Sequence, residues 1–127
     1  MKFLVAGSGG QLGNGWQRSL KGRSSDDFVA LDRGGLDICD AQSIANAFDM
    51  HEPDVCVNTA AYTQVDKAEI QTEEAYLGNV LGPKLLAEAC AARGIQMVHY
   101  STDYVFSGKL TDREIFEEGY PEDAPAD

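Results

Sequence analysis

Apolar residues fall along this chain in short runs separated by longer stretches of mixed character. The first run, residues 2–6 (KFLVA), closes on a glycine and predicts a buried strand. Three more follow: 28–31 (FVAL), closed by Asp32; 55–57 (VCV), entered through Pro53-Asp54; and 96–100 (QMVHY). Between the runs the period lengthens. The stretch around Trp16 to Leu20 can be helical, and from Asp40 the segment AQSIANAFDM sets Ile44, Ala47 and Phe48 on one helix face. Asp40 stands where an N-cap would accept bonds from the first free amides. Leu77, Leu81, Leu85 and Ala89 recur every four residues and predict a long helix ending at Gly94, with Pro83 bending it or leaving its first part irregular. Past Gly108, charged residues and prolines predict a loop over 109–127.

Strands alternating with helices across short loops imply an α/β fold: one Rossmann-like, doubly wound parallel sheet over residues 1–127. Right-handed crossovers are expected to set consecutive strands side by side.

Composition changes this picture little, but charge narrows the partners. A length of 127 residues with 43% apolar and 24% charged side chains suits one soluble globular domain. The net charge of −11 repels phosphate backbones and anionic lipid, so neither nucleic acid nor membrane is an expected partner. Cys39, Cys56 and Cys90 are unevenly spaced without a CxxC pair, and His51 and His99 lack nearby ligand partners. Buried reduced thiols in a cytoplasmic protein are expected, and no metal site.

The first turn carries the strongest local chemistry. Gly7-x-x-Gly10-x-x-Gly13 joins the first strand to the first helix, with Gly9 adding freedom. Such a turn lets a pyrophosphate approach the backbone and places the amides of Gln11 and Leu12 at a helix N-terminus, which favours a diphosphate. Asp32 closes the second strand, at the spacing from which a carboxylate reaches the adenosine ribose hydroxyls. A glycine-rich connector alone would explain the turn; strand, helix and following acid together favour a dinucleotide. Arg33 is either an exposed surface arginine or a partner for a 2′-phosphate, so NADPH is the expected cofactor with NADH also accepted.

The segments VAGSGGQLG, LDRGGLDICD, PDVCVNTAAYTQVDKAE and HYSTDYVFSG resemble, in order and spacing, the extended short-chain dehydrogenase/reductases, and within them the dTDP-4-dehydrorhamnose reductase branch. That resemblance implies diphosphate contacts at Gly7, Gly10, Gln11 and Leu12, with Asp32 at the ribose and Asp40 near the adenine, where Asp40 could equally be a helix cap only. It implies that Ala61, Tyr62 and Thr63 line the nicotinamide path, for which loop packing is the rival explanation. It further implies a catalytic hydroxyl at Thr102, donating to the sugar C4 carbonyl oxygen as hydride arrives, with Asp103 and Tyr104 placing a nucleotide-sugar substrate. A homodimer is compatible with it. Without the resemblance, Thr102 is a hydroxyl at a strand end. Lys67 and Glu69 read as an exposed polar helix start and Asn79 as a buried polar bridge within the long helix.

The match breaks at the family's proton donor, a tyrosine in YxxxK. None of Tyr62, Tyr76, Tyr100, Tyr104 and Tyr120 has a lysine four residues on. The tail YPEDAPAD resembles the stretch before that motif, so the tyrosine, the last strands and the substrate domain are expected beyond Asp127, and little turnover is expected of 127 residues alone. A non-catalytic NADP-binding module, like the methionine adenosyltransferase regulatory subunit, is the alternative. An epimerase or dehydratase is a third, disfavoured by STDYVFSG.

Overall fold

The structure, a computed structural model, describes residues 1–109 and 119–126. Four parallel strands, β1 (Lys2–Ala6), β2 (Asp27–Leu31), β3 (Val55–Asn58) and β4 (Gln96–His99), form one sheet in the order β2-β1-β3-β4. The expectation that consecutive strands lie side by side fails at one step. After β2 the chain crosses over β1, so β1 pairs with both β2 and β3. That reversal creates a crevice beyond the carboxyl ends of β1 and β3, where ligands bind in open parallel sheets.

Helices cover both faces, as a doubly wound sheet requires. Leu4, Ala6 and Cys56 pack with Ile44, Ala47 and Phe48 of α2 (Ala41–His51) and with Leu86 and Cys90 of α5 (Gly82–Arg93). On the opposite face, Phe3, Val5, Val55 and Val57 pack with Leu20 of α1 (Gln11–Lys21). Burial on both faces explains why β1 and β3 are continuous apolar runs rather than alternating ones. The cysteines are free thiols: Cys56 and Cys90 are buried and Cys39 half-buried. The neighbouring Cys90 thiol and burial together push the Cys56 thiol pKa far up.

Helix α1 begins directly on the glycine turn, with Gln11 and Leu12 at its N-terminus as expected, and it takes in the stretch from Trp16 to Leu20. Short helices α3 (Val65–Ala68) and α4 (Thr72–Tyr76) follow β3, and Lys67 and Glu69 are exposed there as expected. From α4 the chain passes through a π-helical turn, Leu77–Leu81, straight into α5, which ends on Gly94 at φ 68°. Pro83 accounts for the irregularity. It has no N–H for the Asn79 carbonyl, and its ring crowds that same carbonyl, so the turn before it widens. The widened turn adds a residue and rotates the apolar face. Hence the buried positions are Gly82, Leu86 and Cys90, while Leu77, Leu81, Leu85 and Ala89 are only half-buried.

Of the predicted loop 109–127, residues 110–118 and 127 lie outside the described residues, and 119–126 contain neither helix nor strand. Among the described residues no helix is long and apolar enough to cross a membrane.

Glycines of α1 differ in what they permit. A Cβ at Gly13 would stand 2.5 Å from the Gly7 carbonyl oxygen and 2.9 Å from Ser8 Cα, whereas at Gly15 it would meet nothing within 4 Å. Gly13→Ala is expected to destabilise the fold by about 1–3 kcal/mol, and Gly15→Ala to stabilise it by about 0.5–1 kcal/mol through helix propensity. Urea unfolding of the two variants checks both signs.

Candidate cofactor site

The crevice is built from backbone brought unusually close. Gly7 adopts φ 80°, and a Cβ there would lie 2.6 Å from the Ala60 nitrogen, so only glycine lets the end of β1 press against the peptide leaving β3. Thr59, which the sequence reading passed over, fastens this contact: its Oγ1 donates to the carbonyls of Ala6 at 2.6 Å and Gly7 at 3.1 Å. The amides of Gly7 and Ser8 both donate to the Leu31 carbonyl at 3.0 Å, drawing the turn towards the end of β2.

Polarity in the turn is one-sided. The Gly7 carbonyl accepts from the Gly10 amide at 3.2 Å, and the Ser8 carbonyl accepts from Gln17 Nε2 at 3.0 Å. Asn14 Nδ2 donates to the Gly10 carbonyl at 2.9 Å and the Gly9 carbonyl at 3.4 Å. The turn's acceptors are thus taken. Its donors are not: among the described residues nothing accepts from the amides of Gly9, Gln11 and Leu12, which precede or open α1. Open donors at the positive end of a helix make a site for an anion. A Cβ at Gly9 would meet nothing within 4 Å, and one at Gly10 only the Gly7 carbonyl at 3.6 Å. Packing therefore does not demand glycine at either position, whereas close approach by a ligand would.

At the end of β2, Asp32 folds its carboxylate back. Oδ1 accepts from the amides of Gly34 at 3.0 Å and Gly35 at 3.2 Å, leaving Oδ2 without a partner among the described residues. Arg33 is largely exposed, its Nε 3.4 Å from Asp37 Oδ2. Asp40 realises the helix cap, its Oδ1 accepting from the Gln42 amide at 2.9 Å.

Past β3, Asn58 is fully buried, bonded through Nδ2 to His99 Nδ1 and through Oδ1 to the Ala60 amide. It fixes the exit of β3 against β4, a role that a polar residue ending an apolar run could have signalled. Ala61, Tyr62 and Thr63 follow at the same edge as the glycine turn, since Ala6 and Asn58 are register partners. Asn79 is exposed rather than buried, and it bridges outward to this loop: its Oδ1 accepts from the Tyr62 amide and its Nδ2 donates to the Tyr62 carbonyl. The Tyr62 hydroxyl bonds Gln71.

Thr102 caps a short 3-10 turn, Asp103–Val105. Its Oγ1 accepts from the Tyr104 amide at 3.2 Å and donates to Asp103 Oδ1 at 3.3 Å. Asp103 and Tyr104 line a hollow of about 530 Å³ with Phe106, Ser107, Gly108 and Tyr120. Tyr120 stacks on Phe106 at 4.5 Å and accepts from the Gly108 amide. Neither Thr102 nor any residue of the glycine turn lines that hollow.

Residues 1–126 match the family described as the RmlD substrate binding domain. The chain belongs to that family. It is 41% identical over 126 residues to the spore coat polysaccharide biosynthesis protein SpsK of Bacillus subtilis, covering 99% of this chain and 42% of SpsK. It is 40% identical over 107 residues to the dTDP-4-dehydrorhamnose reductase of Aggregatibacter actinomycetemcomitans, covering 84% of this chain and 36% of that enzyme. Among solved structures, the dTDP-4-dehydrorhamnose reductase of Bacillus anthracis, crystallised with NADP, superposes with a TM-score of 0.89 at 32% identity, covering 99% of this chain and 43% of that one. The chain therefore spans roughly two fifths of the length of these relatives. UDP-glucose 4-epimerase of Thermus thermophilus shares the fold alone, at 23% identity with a TM-score of 0.84.

Cys39 lies between Asp37 and Asp40, its thiol 3.3 Å from the Leu77 carbonyl of the π-helical turn. Burial raises its pKa above the ordinary thiol value, and the negative charge of Asp37 raises it further. A raised pKa leaves less thiolate at any given pH, so Cys39 should alkylate more slowly than glutathione at pH 8 and keep gaining rate above pH 9. Iodoacetamide labelling followed by mass spectrometry checks this; faster labelling than glutathione would contradict it.

Proposed function

We propose that this chain is the dinucleotide-holding part of a nicotinamide-dependent dTDP-4-dehydrorhamnose reductase, using NADPH and accepting NADH. The observation that carries the reading is the turn whose carbonyls are closed and whose amides at Gly9, Gln11 and Leu12 stay open, beside an acid that ends β2. Family membership and the named reductases among the relatives support it.

In this reading the open amides, with Gly7 and Gly10 leaving room, receive the diphosphate. Asp32, steadied through Oδ1, turns Oδ2 to the adenosine ribose hydroxyls. Arg33, held only by a solvent-exposed pair to Asp37, is free to swing to a 2′-phosphate, because such a pair is worth about 0–1 kcal/mol. Asp40 serves α2 as its cap and lies on the adenosine side. Ala61, Tyr62 and Thr63 flank the nicotinamide half, which supplies hydride when bound. Thr102 has its oxygen fixed by the Tyr104 amide, and its one proton, which points to Asp103 Oδ1 at 3.3 Å, would turn from that carboxylate to a carbonyl oxygen that gains charge. Asp103 and Tyr104 place the nucleotide sugar. No YxxxK tyrosine is among these 127 residues to protonate the product oxygen, and losing a general acid typically costs about 10²–10⁴-fold in rate.

Fluorescence titration tests the reading. The chain should bind both dinucleotides; Arg33→Ala should weaken NADPH by about tenfold, consistent with a lost charge-assisted contact, and leave NADH nearly unchanged. Asp32→Ala should weaken NADH at least as much as NADPH. Binding of neither dinucleotide by the folded chain would refute the proposal.

A further inference from the structure

The chain leaving β4 is steered by two neighbouring side chains. Within β4, Met97 packs towards α2 and α5 and Val98 towards α1, as strand alternation requires. His99 then bonds to Asn58 of β3, while Tyr100 keeps the parity of Val98 and meets α1. There the Trp16 indole N–H donates to the Tyr100 hydroxyl oxygen at 2.9 Å. Trp16 packs against the same cluster as Val98, its ring centroid 6.2 Å from that of Phe3.

Burial does not demand this hydrogen bond. Tyr100 is 44% exposed and Trp16 half-buried, so water can serve both groups. What the bond does is set a direction. Two residues after Tyr100 stands Thr102, followed by Asp103 and Tyr104, with no regular structure between β4 and Thr102. Four residues before Trp16, about 6 Å along the helix axis, stands Leu12, whose amide opens on the diphosphate in the cofactor reading. Neither the hollow nor the Thr102 cap includes a residue of the glycine turn. One rigid helix and one hydrogen bond bridge the two regions, the kind of packed path along which a shift is transmitted.

We propose that Trp16 is a positioning residue for the segment 102–104. Through Tyr100 its indole N–H fixes that segment's offset from the helix that carries the dinucleotide, and filling the glycine turn moves both together. This rests on the cofactor reading above and adds to it a link between the cofactor and substrate ends.

Amide chemical shifts of the isotope-labelled chain, titrated with 2′-phospho-ADP-ribose, test the link. This probe lacks the nicotinamide, so it cannot reach segment 102–104 through that ring. Wild type is compared with Trp16→Phe, which keeps a ring beside Phe3, with Tyr100→Phe, which loses only the hydroxyl, and with the double variant; thermal unfolding shows that each is folded. In the wild type, the probe should shift the amides of Thr102, Asp103 and Tyr104 as well as those of Gly9, Gln11 and Leu12. Each single variant should lose about half or more of the change at 102–104, keep that at the glycine turn and bind the probe within about twofold of wild type, and the double variant should lose no more than either. The indole N–H resonance of the chain's single tryptophan should move upfield in Tyr100→Phe before any probe is added. If one variant fails to fold, the other carries the comparison. Segment 102–104 unmoved in a wild type whose glycine turn responds, equal changes in wild type and variants, or an indole resonance unaffected by Tyr100→Phe would overturn the role of Trp16. A folded wild type whose glycine turn does not respond would instead overturn the cofactor reading.

Discussion

The end of β1 touches the peptide that leaves β3, and the rest of the site depends on that contact. Gly7 can make it because it has no side chain and tolerates φ 80°; Thr59 locks it by donating to the carbonyls on either side of the Ala6–Gly7 peptide bond. Any larger residue at position 7 would push the strands' carboxyl ends apart. The crossover that puts β1 between β2 and β3 makes this the point where connections leave the sheet in opposite directions. Topology opens the crevice, and one glycine sets how narrow its floor is.

Above that floor, side chains decide the sign of the local field. A chain with net charge −11 is a poor host for an anion as a whole. The glycine turn reverses this locally without a single cation. Asn14 and Gln17 consume the carbonyls that would otherwise face the ligand, and the helix start leaves amides unpaired. Nearby fixed dipoles act over a few ångströms, where a diffuse negative surface is screened by salt.

Much of this was legible in the sequence because it depends on local rules. Four apolar runs gave four strands, Asp40 gave a cap, Gly94 gave a helix end, and Pro83 gave an irregular stretch. What escaped was non-local. Strand order needs the crossover, which neighbours in sequence do not encode. The buried face of α5 moved because the π-helical turn added a residue, so a strict four-residue repeat pointed to Leu85 and Ala89 instead of Leu86 and Cys90. Thr59 and Asn79 act on backbone that is distant in sequence or across a turn, and a polar residue carries no mark of which carbonyl or amide it will meet. Thr102, Asp103 and Tyr104 were named through family likeness, and the structure gives them a capped turn and a hollow without linking either to the glycine turn.

The most direct measurement is amide chemical-shift mapping of the isotope-labelled chain on addition of NADPH. If the diphosphate sits on the glycine turn, the largest changes fall on the amides of Gly9, Gln11 and Leu12, with those of Gly34 and Gly35 following as Asp32 engages the ribose. Large changes elsewhere, with these five amides unmoved at saturation, would contradict the account.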